Sequence, residues 1–252
     1  MKSKRAFESL QELFWFTSPE KGKEENIEEL VKSRPIYQMK NTSKRGMFVQ
    51  LTHNKIKYYT LSYYFDWVWK TNENYWTTVF IPTAPILSLT LYLQYVYYID
   101  TNFWIDHIKA GKYKFYLMHY LEDTFATDRL TLSILVGDKV VYKDEHFPSK
   151  EFLAKNEEMY RQRKEKYKDP NDDENFIRVN KQYVTDIDIP ESMIPDPKKG
   201  ITVKIQFMKN ENDDYSKEGW YIHGGLLTRQ FDYKDFIKPN RKLKKKKEYL
   251  LY

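Results

Sequence analysis

Five histidines, His53, His107, His119, His146 and His223, are the first place to look for chemistry. No two of them stand four apart on a helical pattern, and no carboxylates accompany them at ligand spacing, so neither a metal site nor a cofactor is expected. Asp186 and Asp188 lie two apart and would share one face of a strand, where paired carboxylates can hold calcium or act as an acid pair. An acidic pair beside a turn is more commonly solvated. Ser62, Ser88, Ser133 and Ser216 lack the glycine flanks of an exposed serine nucleophile. With no cysteine in the chain, thiol nucleophiles, thiolate metal sites and disulfides are excluded. The chain is therefore expected to carry no catalytic residues and not to be an enzyme.

The aromatic residues are the other chemical resource. The 22 Tyr, 15 Phe and 6 Trp against only 8 Gly bias the chain toward strands, because flat rings pack well on a pleated, half-buried surface. The same rings can meet sugars, bases or proteins, or can simply follow from codon bias. The formal net charge of +6 suits an anionic partner, but the excess sits at the end, in Arg241, Lys242 and Lys244 to Lys247. A nucleic-acid groove spreads its charge along a face, so nucleic acid is an expected partner only through this tail.

These residues must be positioned by some frame, and the hydrophobic periodicity indicates which. Phe7, Leu10, Leu13 and Phe14 fall at helical spacing, and Ile27, Leu30 and Val31 begin a second helical pattern before Pro35. From Gly46 the period becomes two. Met47–Leu51 and Ile56–Leu61 read as a hairpin, followed by strands over 75–81, 86–99, 113–121 and 130–136. The last of these turns at Gly137-Asp138 into Val140–Tyr142, and further strands are expected over 176–184, 201–208 and 220–229. Residues 148–169 mix Phe152, Leu153, Met159 and Tyr160 with charges and suit one inserted surface helix. About nine short strands with polar turns predict a mainly β chain, an antiparallel β-sandwich of jelly-roll-like type. The expected organisation is a helical N-terminal extension over 1–45, the sandwich over 46–238 and a basic tail over 239–252.

Within that frame, Tyr58 to Ser62 followed by Trp67-Val68-Trp69, the polar run 70–74 and Tyr75-Trp76 resembles the opening of the phloem-protein-2 type of lectin domain. Residues 87–99 and 113–118 are similar to its following strands, and 201–208 with Gly219 to Gly225 to its closing pair. The departures are Ile99-Asp100-Thr101-Asn102, where that family has a glycine-lysine turn, and Tyr183 to Asp186, where it has an aspartate-glycine-tryptophan. The resemblance implies that Trp69 and Trp76 bind carbohydrate, since the apolar face of a pyranose packs on an indole. Asn72, Glu73, Asn74 and Tyr75 would then hold the sugar hydroxyls. The competing expectation is that Trp69 points into the core and Trp76 braces the sheet.

Two functions follow. One is a carbohydrate-binding, lectin-like module whose partner is a glycan or glycoprotein, recognised through this aromatic loop. The other is a structural or adaptor subunit that keeps the sandwich without sugar binding and partners other subunits of a large assembly; the helical start, the charged helix and the basic tail would be its docking arms. No secretory signal is legible after Met1, and the stretch 86–99 is too short and too polar to span a bilayer, so a cytoplasmic or nuclear location and no membrane span are expected.

Overall fold

The computed structural model describes residues 36–38, 47–52, 55–62, 65–68, 72–80, 89–94, 99–166, 179–197, 199–210 and 217–230. They form two antiparallel sheets and one α-helix. Eight strands make the larger sheet: β1 (Ile36–Gln38), β2 (Met47–Thr52), β3 (Lys55–Leu61), β5 (Trp76–Phe80), β6 (Leu89–Leu93), β8 (Gly111–Leu121), β11 (Asn180–Ile189) and β13 (Trp220–Gln230). Five make the smaller: β4 (Asp66–Trp67), β7 (Asp100–Ile108), β9 (Leu130–Val136), β10 (Lys139–Phe147) and β12 (Ile201–Lys209), in the order β10-β9-β12-β7-β4. Helix α1 (Lys150–Lys166) joins the edge strand β10 of the smaller sheet to β11 of the larger.

β13 organises the larger sheet. One edge pairs with β8 from Trp220 to Thr228. The other edge is shared end to end, by β6 at Trp220 to Ile222 and by β3 at Gly224 to Gln230. At the junction β13 carries a bulge between Ile222 and Gly224, which lets one strand serve two partners. Gly224 fits there because a Cβ would lie 1.9 Å from the Thr60 carbonyl oxygen.

The core lies between the sheets and combines Ile, Leu and Val with a cluster of aromatic rings. Trp220 is its hub, with Phe207 5.1 Å, Phe125 5.4 Å, Trp67 6.1 Å and Phe147 6.2 Å away between ring centres. β8 shows how the sequence directs this packing: Tyr113, Phe115 and Leu117 are buried, while Lys112 and Lys114 on either side of Tyr113 are exposed. A second apolar cluster, containing Tyr59, Leu61, Met118, Val179, Tyr221 and Leu226, sits on the other side of the larger sheet. The middle of that sheet is thus apolar on both faces, which explains the unbroken buried run from Trp220 to Leu227.

Helix α1 starts on a Ser149 cap, whose Oγ accepts the Phe152 N–H at 3.1 Å. It is pinned by buried polar side chains. Asn156 Nδ2 donates to Leu121 O at 3.2 Å, and Gln182 Nε2 donates to Phe152 O at 2.7 Å. The inserted helix is therefore anchored by polar contacts to β8 and β11 as well as by its apolar side chains.

The strands expected over 47–51, 56–61, 113–121, 130–136, 201–208 and 220–229 are all present, and the Gly137-Asp138 turn links β9 to β10 with Gly137 at φ +58. Three differences stand out. Asp100 to Ile108 is a strand, although its first three residues have turn composition. β4 is likewise an unexpected strand pair partner of β7. Ile36–Gln38, inside the segment expected to be helical, pairs with β2. The helical patterns of residues 1–35 and the basic tail lie outside the described residues.

Candidate functional site

The turn that precedes β5 is held by its own hydrogen bonds. Asn72 accepts the Tyr75 N–H at 3.0 Å and the Trp76 N–H at 3.1 Å through its carbonyl, and its Oδ1 accepts the Asn74 N–H at 3.1 Å. Asn72, Glu73 and Asn74 are exposed, and Tyr75 is half-buried against the core. Trp76 points the other way. It is 3% exposed, its ring centre is 4.5 Å from that of Trp67, and its Nε1–H donates to Val68 O at 3.2 Å. The expected role of Trp76 as a sugar-stacking surface is corrected accordingly: pairing with the buried Leu93 puts it on the inward parity of β5, and it braces the sheet from within. Trp69 lies outside the described residues.

The same parity carries a different set of aromatic side chains outward beside this turn. Thr77 pairs with Tyr92, and Tyr221 pairs with Tyr92 on one side and Tyr120 on the other. A row of tyrosines thus crosses three hydrogen-bonded strands. Tyr92 and Tyr221 are stacked at 4.2 Å, Tyr221 and Tyr120 are 6.1 Å apart, and Tyr160 of α1 extends the row at 4.8 Å from Tyr120. Gln94 ties the row to the turn, because its Nε2 donates both to Glu73 O at 3.2 Å and to the Thr77 hydroxyl. Tyr92, Tyr120 and Tyr160 are half-buried, and Tyr221 at their centre is nearly covered.

Carboxylates rim the row. The Tyr92 hydroxyl lies 3.5 Å from Glu122 Oε2, and Glu122 is itself fixed by its backbone N–H, which donates to Gly219 O at 2.8 Å. Burial, and then the negative charge of Glu122, pushes the Tyr92 and Tyr221 hydroxyls up from their ordinary value. Burial also raises Tyr120, to about 12, with Tyr160, Asp123 and Glu122 adding to it. All three hydroxyls are protonated near neutrality and can donate as well as accept. Stacking covers one ring face of each of Tyr92 and Tyr221.

No family model and no curated protein matches the sequence. Among solved structures the chain is similar to a family 35 carbohydrate-binding module from Clostridium thermocellum, with a TM-score of 0.38 and 10% identity over 68% of this chain and 96% of that one.

The other residues singled out from the sequence are dispersed. Among the described residues no three His, Asp or Glu side chains gather as a metal-binding group. His119 and His223 are buried, His107 Nδ1 lies 3.1 Å from Lys199 O, and His146 lies 3.5 Å from Asp128. His53, Ser88 and Ser216 lie outside the described residues. Ser62 Oγ is buried and donates to Ile222 O at 2.5 Å, and Ser133 is 8% exposed on β9. Asp186 and Asp188 are exposed on β11 with Lys114 3.9 Å from Asp186.

The sequence reading overlooked Tyr92, Tyr120, Tyr221 and Glu122. A signal was available for the tyrosines: each sits between apolar or core residues in Leu91-Tyr92-Leu93, His119-Tyr120-Leu121 and Trp220-Tyr221-Ile222, the pattern of an outward residue on a strand. That the three share one row depends on the pairing registers, which no local pattern reveals.

Proposed function

We propose that this protein is a non-catalytic carbohydrate-binding β-sandwich, and that its site is the tyrosine row with the turn beside it. The reading is carried by one observation: three tyrosines lie in register across β6, β13 and β8 with the Glu122 carboxylate at the Tyr92 hydroxyl, and Gln94 links the row to the turn that exposes Asn72 and Asn74. A sugar hydroxyl both donates and accepts, and this surface offers protonated phenols, amides and a carboxylate in close array. The partly exposed rings of Tyr92 and Tyr120 supply apolar area against which the C–H groups of a pyranose can pack. The resemblance to phloem-protein-2 lectins belongs to the same reading, with the tyrosines taking the part that the family's tryptophans would play.

The test is glycan-array screening followed by titration of the best neutral glycan against Tyr92→Phe, Tyr120→Phe and Glu122→Gln. Each removes one hydroxyl or charge and keeps the packing. We expect each tyrosine variant to bind about fivefold more weakly, the worth of one net hydrogen bond. A sample folded by near-ultraviolet circular dichroism that binds no glycan, or variants that all bind like the parent, overturns the reading. So does recovery of the native protein in a stoichiometric assembly that sugars do not release.

A further inference from the structure

The far end of the same sheet face has a different character. Its rungs follow from the registers. Lys57, Thr228, Lys114 and Asp186 line up across β3, β13, β8 and β11, and the next rung holds Tyr59, Leu226, Tyr116 and Tyr183. Lys55 and Lys112 lie one outward position further along β3 and β8, and Lys181 one outward position beyond Tyr183 on β11. Five lysines thus face outward here against two aspartates, Asp186 and Asp188.

The tyrosines hold the lysine heads in place. Lys181 Nζ is 4.1 Å from the centre of the Tyr116 ring, and Lys114 Nζ is 5.5 Å from that of Tyr183. Tyr116 and Tyr183 brace each other edge to face at 5.7 Å. Lys181 titrates below its ordinary value because of burial and the neighbouring ammonium groups of Lys57 and Lys55. Like charges crowded at this spacing are relieved by a bound anion.

We propose that this lysine end, centred on Lys57, Lys114 and Lys181 around Tyr116 and Tyr183, binds the acidic groups of an anionic polysaccharide, a chain bearing sulfates or carboxylates. The choice of a saccharide rests on the glycan reading of the tyrosine row; the anionic character rests on the lysines alone. Lys57 and Lys114 stand two strands apart, about 10 Å, which suits a ligand with repeated charges. A single-stranded nucleic acid needs open aromatic faces for its bases, whereas lysines occupy positions over both rings here. Fixed ammonium groups suffice for sulfate or carboxylate.

The experiment uses the full chain and four labelled probes: a sulfated uronate-containing oligosaccharide, its desulfated counterpart, a neutral gluco-oligosaccharide and single-stranded poly(U). Each is titrated at about 0.05 M and about 0.5 M salt, since screening shortens from over 10 Å to a few ångströms across that range. We expect the sulfated probe to bind best and to weaken at least about tenfold in high salt and in the Lys114→Glu, Lys181→Glu double variant. The corresponding arginine double variant retains binding and shows that charge, not folding, is responsible. Binding unchanged in the glutamate variant overturns the proposal. So does binding that vanishes when Arg241, Lys242 and Lys244 to Lys247 are changed to Gln, or poly(U) binding as tight as the sulfated probe. If the sulfated probe binds and every neutral glycan fails, the tyrosine-row reading falls while this one stands. If Tyr92→Phe weakens only the neutral glycan, both stand as separate sites.

Discussion

His119 is the residue at which folding and protonation meet. It is fully buried, its Nδ1 accepts the Trp220 Nε1–H at 3.3 Å, and its Nε2–H then donates to Gln182 Oε1 at 3.0 Å. Gln182 passes the chain on to Phe152 O of α1, so β13, β8, β11 and the helix are tied by one line of hydrogen bonds that requires a neutral imidazole. Burial lowers the His119 pKa from 6.5 to about 4, more than the Gln182 hydrogen bond raises it. Between those values the unfolded chain binds a proton that the folded chain refuses, so stability rises with pH across this window. It is complete above about pH 6.5 and falls as pH drops toward 4, by roughly 3 kcal/mol in all. Urea denaturation at pH 7, 5.5 and 4.5 should show this loss, and His119→Gln should flatten it. Equal slopes in parent and variant would mean that His119 is not the group responsible.

At the scale of elements, the same parity logic explains what could and could not be read from the sequence. β8 and β12 were legible because buried residues alternate with more exposed ones along much of their length, and β9 because it is a short, mostly buried apolar run ending at a Gly-Asp turn. β7 was not, because Asp100-Thr101-Asn102 has the composition of a turn, and only pairing of Thr101 and Asn102 with Phe207 and Gln206 of β12 makes it a strand. The turn at Asn72 to Asn74 was legible as exposed and polar. The direction of Trp76 was not, since one residue of register reverses every side chain of a strand. β13 makes the cost of such a reversal measurable. Gly224 sits where the strand changes partners, and a Cβ there would strike the Thr60 backbone of β3, while a Cβ on Gly225 would lie 2.8 Å from the Phe103 ring. Gly224→Ala is expected to destabilise the fold by about 3 kcal/mol through forced separation of β13 and β3. A midpoint of denaturation within error of the parent's would show that the junction is looser than its geometry.

Across the whole molecule, α1 is the element through which the core and the candidate site communicate. Phe152 packs on Phe147, at 4.8 Å, and on His119, at 5.5 Å, while Tyr160 two turns later closes the tyrosine row on the opposite side of the larger sheet. The helix therefore reaches both faces of that sheet at the end where β8 finishes. Asn156 is the pin between these contacts: it is buried, and its amide donates to Leu121 O, the last residue of β8. Glu122, the carboxylate of the candidate site, follows directly. Asn156→Ala removes this donor and leaves the Leu121 carbonyl without it, for an expected loss of about 1–3 kcal/mol. Since Tyr160 and Glu122 are positioned through the same contact, neutral-glycan affinity should fall as well, although Asn156 touches no ligand. Lys114 and Lys181 stand at the other end of the face, so affinity for the sulfated probe should be unchanged. Hydrogen exchange at Leu121 to Asp123, measured with both affinities in one variant, separates a local loosening of this corner from a general loss of fold: only the former speeds exchange there while sparing the lysine end.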